Sequence, residues 1–354
     1  MRTTITSRYT PHTYVGLSVL LAAVFLTGCA PKKLPAYGAA NELTIVTNLS
    51  TQDETVQLLK AAFARPLISV DEDTLYITEV LSASEFARHS GRYDASRNLV
   101  MLVDITKHDG LTKKVQGLLG TKVLKQIEEG PAEYFVHSNV WALAQTLVII
   151  AGAGKGVLAE AIKTKGNRLY AEMDSVITER TKDALYAGES VHGGGEQASA
   201  GTGLDSKYGW SLRIPAGFKS IELDTVETGM LLRLRIDEPT RLVFVYWMPY
   251  QGGELLDPKD CLELRAKLVW VVYNQDVVDF TRTVTRDAVF EGRKAVKIEG
   301  VWQNKKYVIA GPFFTYCFLS GNRFYMIDAV ICGPGTRKGA LFKQLEAMMM
   351  TFKG

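Results

Sequence analysis

Apolar positions along this chain recur in two rhythms, and the change from one to the other organises the whole reading. Up to about residue 187, short apolar runs alternate with stretches at helical spacing. Leu43 to Thr47 reads as a short strand, and Glu54 to Ala64 places Val56, Leu59 and Phe63 on one helical face before Pro66 stops it. Leu75 to Val80 and Asn98 to Ile105 are strand-like, the second apolar enough to be central. Leu111 to Glu129 predicts a helix broken near Gly117 and Gly120 and ended by Gly130-Pro131. Trp141 to Ile150 predicts another apolar strand, although periodicity alone does not exclude a buried helix. Val157 to Tyr186 is a long charged helical stretch, one helix or two joined at Lys165-Gly166-Asn167.

Gly188 to Lys207 interrupts the pattern, because His192-Gly193-Gly194-Gly195 and the small residues after it cannot build a core. Beyond it the rhythm becomes that of consecutive strands. Trp210 to Ile214, Met230 to Ile236 and Leu242 to Met248 read as strands, as do Ala295–Trp302, Tyr307–Leu319 and Phe324–Cys332. The last three are separated by Gln303-Asn304-Lys305 and Ser320-Gly321-Asn322, turns that predict an antiparallel sheet. One helix starts at Asp257-Pro258, where Asp257 can cap and Pro258 fits the first helical position. A terminal helix carries Leu341, Leu345, Met348 and Phe352 on one stripe.

The first 28 residues follow neither rhythm. Arg2 and Arg8 make a basic start, Tyr14 to Leu26 is an apolar run too short to span a bilayer, and Leu26-Thr27-Gly28-Cys29 closes it. That order is a lipoprotein signal peptide, with Cys29 as the lipidated residue; an ordinary secretory signal is the alternative. Ala30 to Ala40, with Pro31, Lys32, Lys33, Pro35 and Gly38, reads as a flexible tether. The expected organisation is a signal peptide at 1–28, a tether at 29–41, an N-terminal α/β domain at 42–187, a Gly-rich linker at 188–207 and a C-terminal α+β domain at 208–354. The expected fold class is α+β, two α/β units with an antiparallel C-terminal sheet packed by helices.

Composition narrows the function classes. With 41 Lys+Arg against 38 Asp+Glu, and two of the arginines in the signal, the body offers no electrostatic footprint for nucleic acid. If Cys29 is lipidated, Cys261, Cys317 and Cys332 remain. Cys317 and Cys332 lie on neighbouring strand-like runs and can be joined across them, or all three can be buried thiols. No metal or cofactor is expected: there is no Cys-x-x-Cys, and His89, His108, His137 and His192 stand apart.

Three motifs resemble chemistry and read better as structure. Gly152-Ala153-Gly154-Lys155-Gly156 lacks the first glycine and the Ser/Thr of a phosphate loop, so a tight strand-to-helix turn is the expectation. His192-Gly193-Gly194-Gly195 resembles an esterase oxyanion loop, but no Gly-x-Ser-x-Gly elbow accompanies it. Asp104, His108 and Asp109 cluster after a strand and read as solvated, while Glu79 and Glu85 have no spacing that makes them an acid/base pair. The tryptophans, each embedded in an apolar run, read as core.

Small motifs spread from about Leu43 to Phe352 carry a family resemblance. They are Arg97-Asn98-Leu99-Val100, Trp141-Ala142-Leu143-Ala144-Gln145, Glu179-Arg180, Ile214-Pro215-Ala216-Gly217-Phe218, Gly300-Val301-Trp302, Gly311-Pro312-Phe313 and Gln344-Leu345-Glu346-Ala347. In these the chain resembles the domain of unknown function 4837 family, bacterial envelope lipoproteins with no established activity. Ala266 stands where that family carries an acidic residue, so no role transfers to it. The second half is also similar to the Mog1/PsbP-like fold. The resemblance implies lipidation and an envelope location.

The leading expectation is therefore a lipid-anchored envelope protein on the periplasmic side of the outer membrane, acting as a non-enzymatic binding or assembly module. Its partners would be the membrane, through Cys29, and another envelope protein. The rival is a small-ligand-binding protein or hydrolase with a cleft between the halves. Arg97, Trp141, Gln145, Arg265 and Trp302 are its candidate ligand residues, since a planar cation or amide beside an aromatic ring can hold a polar ligand.

Overall fold

The computed structural model describes residues 33–187 and 203–354, except for the side chains of residues 221–223. Cys29 and His192 to Gly195 lie outside the described residues. The first half contains β1 (Glu42–Thr47), α1 (Glu54–Phe63), a short antiparallel pair β2 (Pro66–Leu67) and β3 (Asp73–Thr74), β4 (Ile77–Ser82), α2 (Ala83–Arg88) and α3 (Ser90–Tyr93). It continues with β5 (Asn98–Asp104), α4 (Gly110–Leu119), α5 (Thr121–Glu129), β6 (Glu133–Ser138), β7 (Thr146–Gly152) and α6 (Lys155–Tyr186). Its five strands run in the order β4-β1-β5-β7-β6, parallel except for the edge strand β6.

Every residue of β5 and β7 is buried, as befits central strands covered on both faces. One face packs Val56, Leu59 and Phe63 of α1 and the Leu158–Ile177 stripe of α6. The other packs Phe86 of α2, Leu111 and Val115 of α4, and Leu124 and Ile127 of α5. The α4/α5 break falls at Gly120, whose φ of 85° favours glycine. α6 runs unbroken through Lys165-Gly166-Asn167, where Gly166 is buried on the side facing α1.

The second half contains α7 (Leu204–Tyr208), β8 (Lys219–Val226), β9 (Gly229–Ile236), β10 (Thr240–Pro249), α8 (Pro258–Val272), β11 (Val277–Phe290), β12 (Arg293–Asn304), β13 (Ile309–Ser320), β14 (Arg323–Cys332) and α9 (Gly339–Met349). Its strands form one seven-stranded antiparallel sheet in the order β11-β12-β13-β14-β10-β9-β8. Asp257 caps α8, accepting from the Lys259 N–H at 2.8 Å. α8 covers one face through Cys261, Leu268 and Val269. On the other face α9 buries Phe342, Leu345, Met348 and Met349 beside Trp210 and Phe352. The architecture is thus α+β, with an antiparallel C-terminal sheet packed by helices.

Three expectations change. Trp141 to Gln145 is a loop, and the strand begins only at Thr146. Trp210 to Ile214 is a plug rather than a strand: Trp210, Leu212 and Ile214 are buried, but only Ser211 pairs, with Lys353. The chain before β1 is docked, not flexible, from Lys33 onward. Ala36 N–H donates to Leu143 O (2.8 Å), Leu143 N–H to Leu34 O (2.8 Å), Tyr37 N–H to Ala95 O (3.0 Å) and Arg97 N–H to Tyr37 O (2.8 Å).

Candidate functional site

The densest chemistry lies where the halves meet. α9 packs on α6, and the contact is polar at its centre. Lys343 of α9 sits 2.6 Å from Asp174 Oδ1 on α6 and 2.8 Å from Glu346 Oε2 one helical turn on. Tyr76, just before β4, donates to the same Asp174 oxygen at 2.6 Å. Glu346 Oε1 accepts from Lys297 Nζ of β12 and from Tyr316 Oη of β13, each at 3.1 Å. Lys297 is also 3.1 Å from Glu299 Oε1. Lys297, Lys343 and Glu346 are all buried, so each charge depends on the others.

Burial alone would neutralise these groups, and the neighbours reverse it. Desolvation pushes the Glu346 carboxyl up, but Lys343 and Lys297 outweigh it and hold it well below the carboxylate range. Burial pulls the Lys343 ammonium down, while Glu346 and Asp174 more than restore it; Lys297 is raised against burial by Glu346 and Tyr316. Beside this network opens a cleft of about 570 Å³ whose walls include Arg65, Tyr170, Asp174, Glu179 and Glu346. Arg65 lies 3.5 Å from the Tyr170 ring centroid, and burial and Asp174 push the Tyr170 phenol up to about 12. The network is a latch, and its charges are spent on one another.

None of the five sequence candidates lines that cleft; they fall into two other places. Arg97, Trp141 and Gln145 gather under the N-terminal ends of β5 and β7. Arg97 donates to Gly38 O (2.7 Å) and Ala36 O (3.1 Å). Gln145 donates to Ser96 O (2.9 Å) and accepts from the Trp141 N–H (3.0 Å). Together they hold the docked segment and the loop it pairs with. Arg180 of α6 braces the same end, donating to Asn98 Oδ1 (2.6 Å) and Thr146 Oγ1 (2.7 Å), and burial beside Arg97 lowers it to about 10.

Arg265 and Trp302 lie in the core beneath α8. Arg265 Nε donates to Asp328 Oδ1 (2.6 Å) and Thr315 Oγ1 (3.0 Å), and its guanidinium sits 3.2 Å from the Phe313 ring centroid. Both members of the Arg265–Asp328 pair are fully buried. Trp302 Nε1 donates to Ile331 O at 3.4 Å.

The Cys317–Cys332 pairing is not formed. The register of β13 and β14 sets Cys317 opposite Met326, six residues from Cys332, and both cysteines are free. Asp104 and Asp109 are committed to the backbone: Asp104 Oδ1 accepts from Thr106 N–H (3.1 Å) and Gly154 N–H (2.9 Å), and Asp109 caps α4. Glu85 belongs to a capping box with Ser82. Gly154, at φ 98°, makes the tight turn from β7 into α6.

The latch escaped the sequence reading, but three of its charges left a trace. Lys343 and Glu346 stand in a largely apolar terminal helix and Lys297 inside an apolar strand run, as does Asp328, the buried partner of Arg265. A charge on a buried face needs a partner, and the sequence does not say which.

Comparison with known proteins gives one family-model match and distant structural likenesses. No curated protein matches the chain. A crystal structure from Bacteroides thetaiotaomicron VPI-5482 is similar at 10% identity and TM-score 0.26, over 41% of this chain and 44% of that one. The solution structure of cyanobacterial PsbP (CyanoP) from Synechocystis sp. PCC 6803 is similar at 13% identity and TM-score 0.31, over 42% of this chain and 88% of that one. Residues 197–351 match the family model for a domain of unknown function, DUF4837. That match takes in the whole seven-stranded sheet with α8 and α9 packed on its two faces.

Proposed function

We propose that this protein is a lipid-anchored envelope protein that works as a non-enzymatic binding or assembly module, held to the periplasmic face of the outer membrane through Cys29. The observation that carries the reading is the use made of Arg97 and Gln145. Arg97 clamps the segment Leu34–Gly38, which lies immediately downstream of the lipoprotein signal pattern, and Gln145 fixes the backbone of Ser96 and Trp141 beside it. A rigid exit from the body to an anchor suits a protein whose position at a membrane matters. The latch adds a second reason, because a hydrolase working between the halves would have to free charges that Lys343, Glu346 and Lys297 now neutralise in one another.

Metabolic labelling with an alkyne fatty acid tests the anchor. Label on the wild-type chain and none on Cys29→Ala, with the wild type fractionating to the outer membrane, is the expected result. A wild-type chain that is unlabelled and soluble after export overturns it.

A further inference from the structure

We propose that the end of the molecule where the parallel strands begin lies on the bilayer, and that the β12–β13 hairpin tip, Lys305–Val308, dips into its anionic headgroups. The proposal rests on the lipid anchor at Cys29.

Reach is the first argument. Lys33 is already fixed, its ammonium donating to Asn139 O at 2.6 Å. Three residues, or four Cα–Cα steps, separate it from Cys29, which limits the Cys29 backbone to about 14 Å from that of Lys33. Leu34, 76% exposed, and Leu143, 43% exposed, flank it. The segment Leu34–Gly38 docks beside Ala95, Arg97 and Leu143, just before β5 and β7 begin.

The hairpin tip belongs to the same end. Together with Val70, Asp71, Pro334 and Lys338 it borders a cleft of about 510 Å³. Lys338 bonds Asp71 (2.7 Å) and, through its N–H, Asp73 (2.6 Å). Gly339 beside it packs against Asn41 and Leu75, the residues that lead into β1 and β4. Because β4, β1, β5 and β7 are parallel, the hairpin tip and the docked segment both lie off the strands' N-terminal ends.

The chemistry of the tip selects the occupant. Lys305 and Lys306 are exposed, Tyr307 is 51% exposed and Val308 89%. Two cations beside an aromatic ring and an aliphatic residue are what a headgroup boundary takes, with the ammoniums on phosphate and the apolar groups below. The tip is also built to stay in place. Asn304 is buried and accepts from the N–H groups of Lys306 (3.0 Å) and Tyr307 (3.1 Å), while donating to Asp276 Oδ1 (2.6 Å). Val308 is held at φ 52°, a conformation that β-branched residues avoid, although it has no core contact to gain there.

Photocrosslinking tests this on the full chain in membranes containing phosphatidylethanolamine and phosphatidylglycerol lipids that carry a headgroup-level diazirine, with peptides read by mass spectrometry. Crosslinks on 304–309 and on the 33–37 segment, and few on Gln52 or Lys107 at the opposite strand ends, are expected. Lys305→Glu/Lys306→Glu should cut the hairpin crosslinks about tenfold. Val308→Gly should cut them too without lowering the thermal midpoint, since glycine suits that backbone. Crosslinks concentrated at the Gln52 end, or spread evenly, overturn the proposal. The same spectra show whether the Cys29 peptide carries lipid. An unmodified Cys29 sinks the anchor, and the proposal then stands or falls on whether added phosphatidylglycerol vesicles still crosslink 304–309.

Discussion

Replacing Glu346 by Gln tests whether the inter-half latch stabilises the fold or merely occupies it. Gln keeps the shape and one acceptor oxygen but removes the negative charge facing Lys343 at 2.8 Å and Lys297 at 3.1 Å. Deleting one partner of a buried ion pair costs about 3–5 kcal/mol, because the other charge is left without compensation. Here Asp174 still lies 2.6 Å from Lys343 and Glu299 3.1 Å from Lys297, so the lower end, about 3 kcal/mol at pH 7, is expected. Guanidinium unfolding measures it: the midpoint should fall with an unchanged slope. Acid gives a second arm. The folded Glu346 pKa lies below its unfolded value of 4.5, so its contribution is full above that pH and fades as pH falls toward the folded pKa. The gap between wild type and Glu346→Gln should therefore close on acidification below 4.5. A loss under about 1 kcal/mol at pH 7, or a gap unchanged down to pH 3, would refute the assignment of stability to this network.

Three further outcomes follow from the same geometry. Burial pushes the Asp276 carboxyl up to about 6, against the opposing hydrogen bond from Asn304. This group binds its proton more tightly folded than unfolded, so stability drops as pH rises from about 4 to 6. Asp276→Asn should raise the melting temperature at pH 7.5, by an amount corresponding to at most about 3 kcal/mol, and leave it unchanged at pH 3.5; equal shifts at both would exclude the cause. Arg97→Ala removes two charge-assisted bonds to the docked segment and should cost about 2 kcal/mol, with faster amide exchange at Ala36 and Tyr37 by mass spectrometry. Unaltered exchange there would mean that the segment is held by its backbone ladder alone. Gly311→Ala would bring a methyl group to 2.0 Å from Ile331 O and 3.1 Å from Trp302 Nε1, so loss of soluble protein or a penalty above about 3 kcal/mol is expected. A soluble variant melting like wild type would contradict the close approach.

What the sequence revealed depended on whether a residue's partner was local. The hairpins β12 to β14 were legible because they are nearly continuous buried runs separated by short polar turns. β11, the longest strand, was not, because it is an edge: Thr281, Arg282, Thr285, Arg286 and Asp287 are exposed, so no alternation marks it. β6 escaped for the same reason, an edge strand of half-buried residues. Trp210, Leu212 and Ile214 erred in the opposite direction. They alternate like a strand, yet their burial comes from insertion beside Phe352 and Trp247 and not from a ladder.

The same rule governs the site. Arg97 and Gln145 were found as residue types able to grip a polar group, and the group they grip is the protein's own backbone. The latch draws Tyr76 and Asp174 from one half and Lys297, Tyr316, Lys343 and Glu346 from the other. Up to 270 positions separate its members, and none alone announces a partner: Lys297 and Tyr316 stand in apolar strand runs, while Asp174 is one charge among many on a long charged helix. Such a network can be satisfied only when both halves are folded and docked together. If that is its purpose, the halves present one fixed surface, and a partner or a membrane meets them as a single body. Loosening the latch should then disturb binding at a distance, whereas changing the hairpin tip Lys305–Val308 should disturb membrane contact and leave the latch intact.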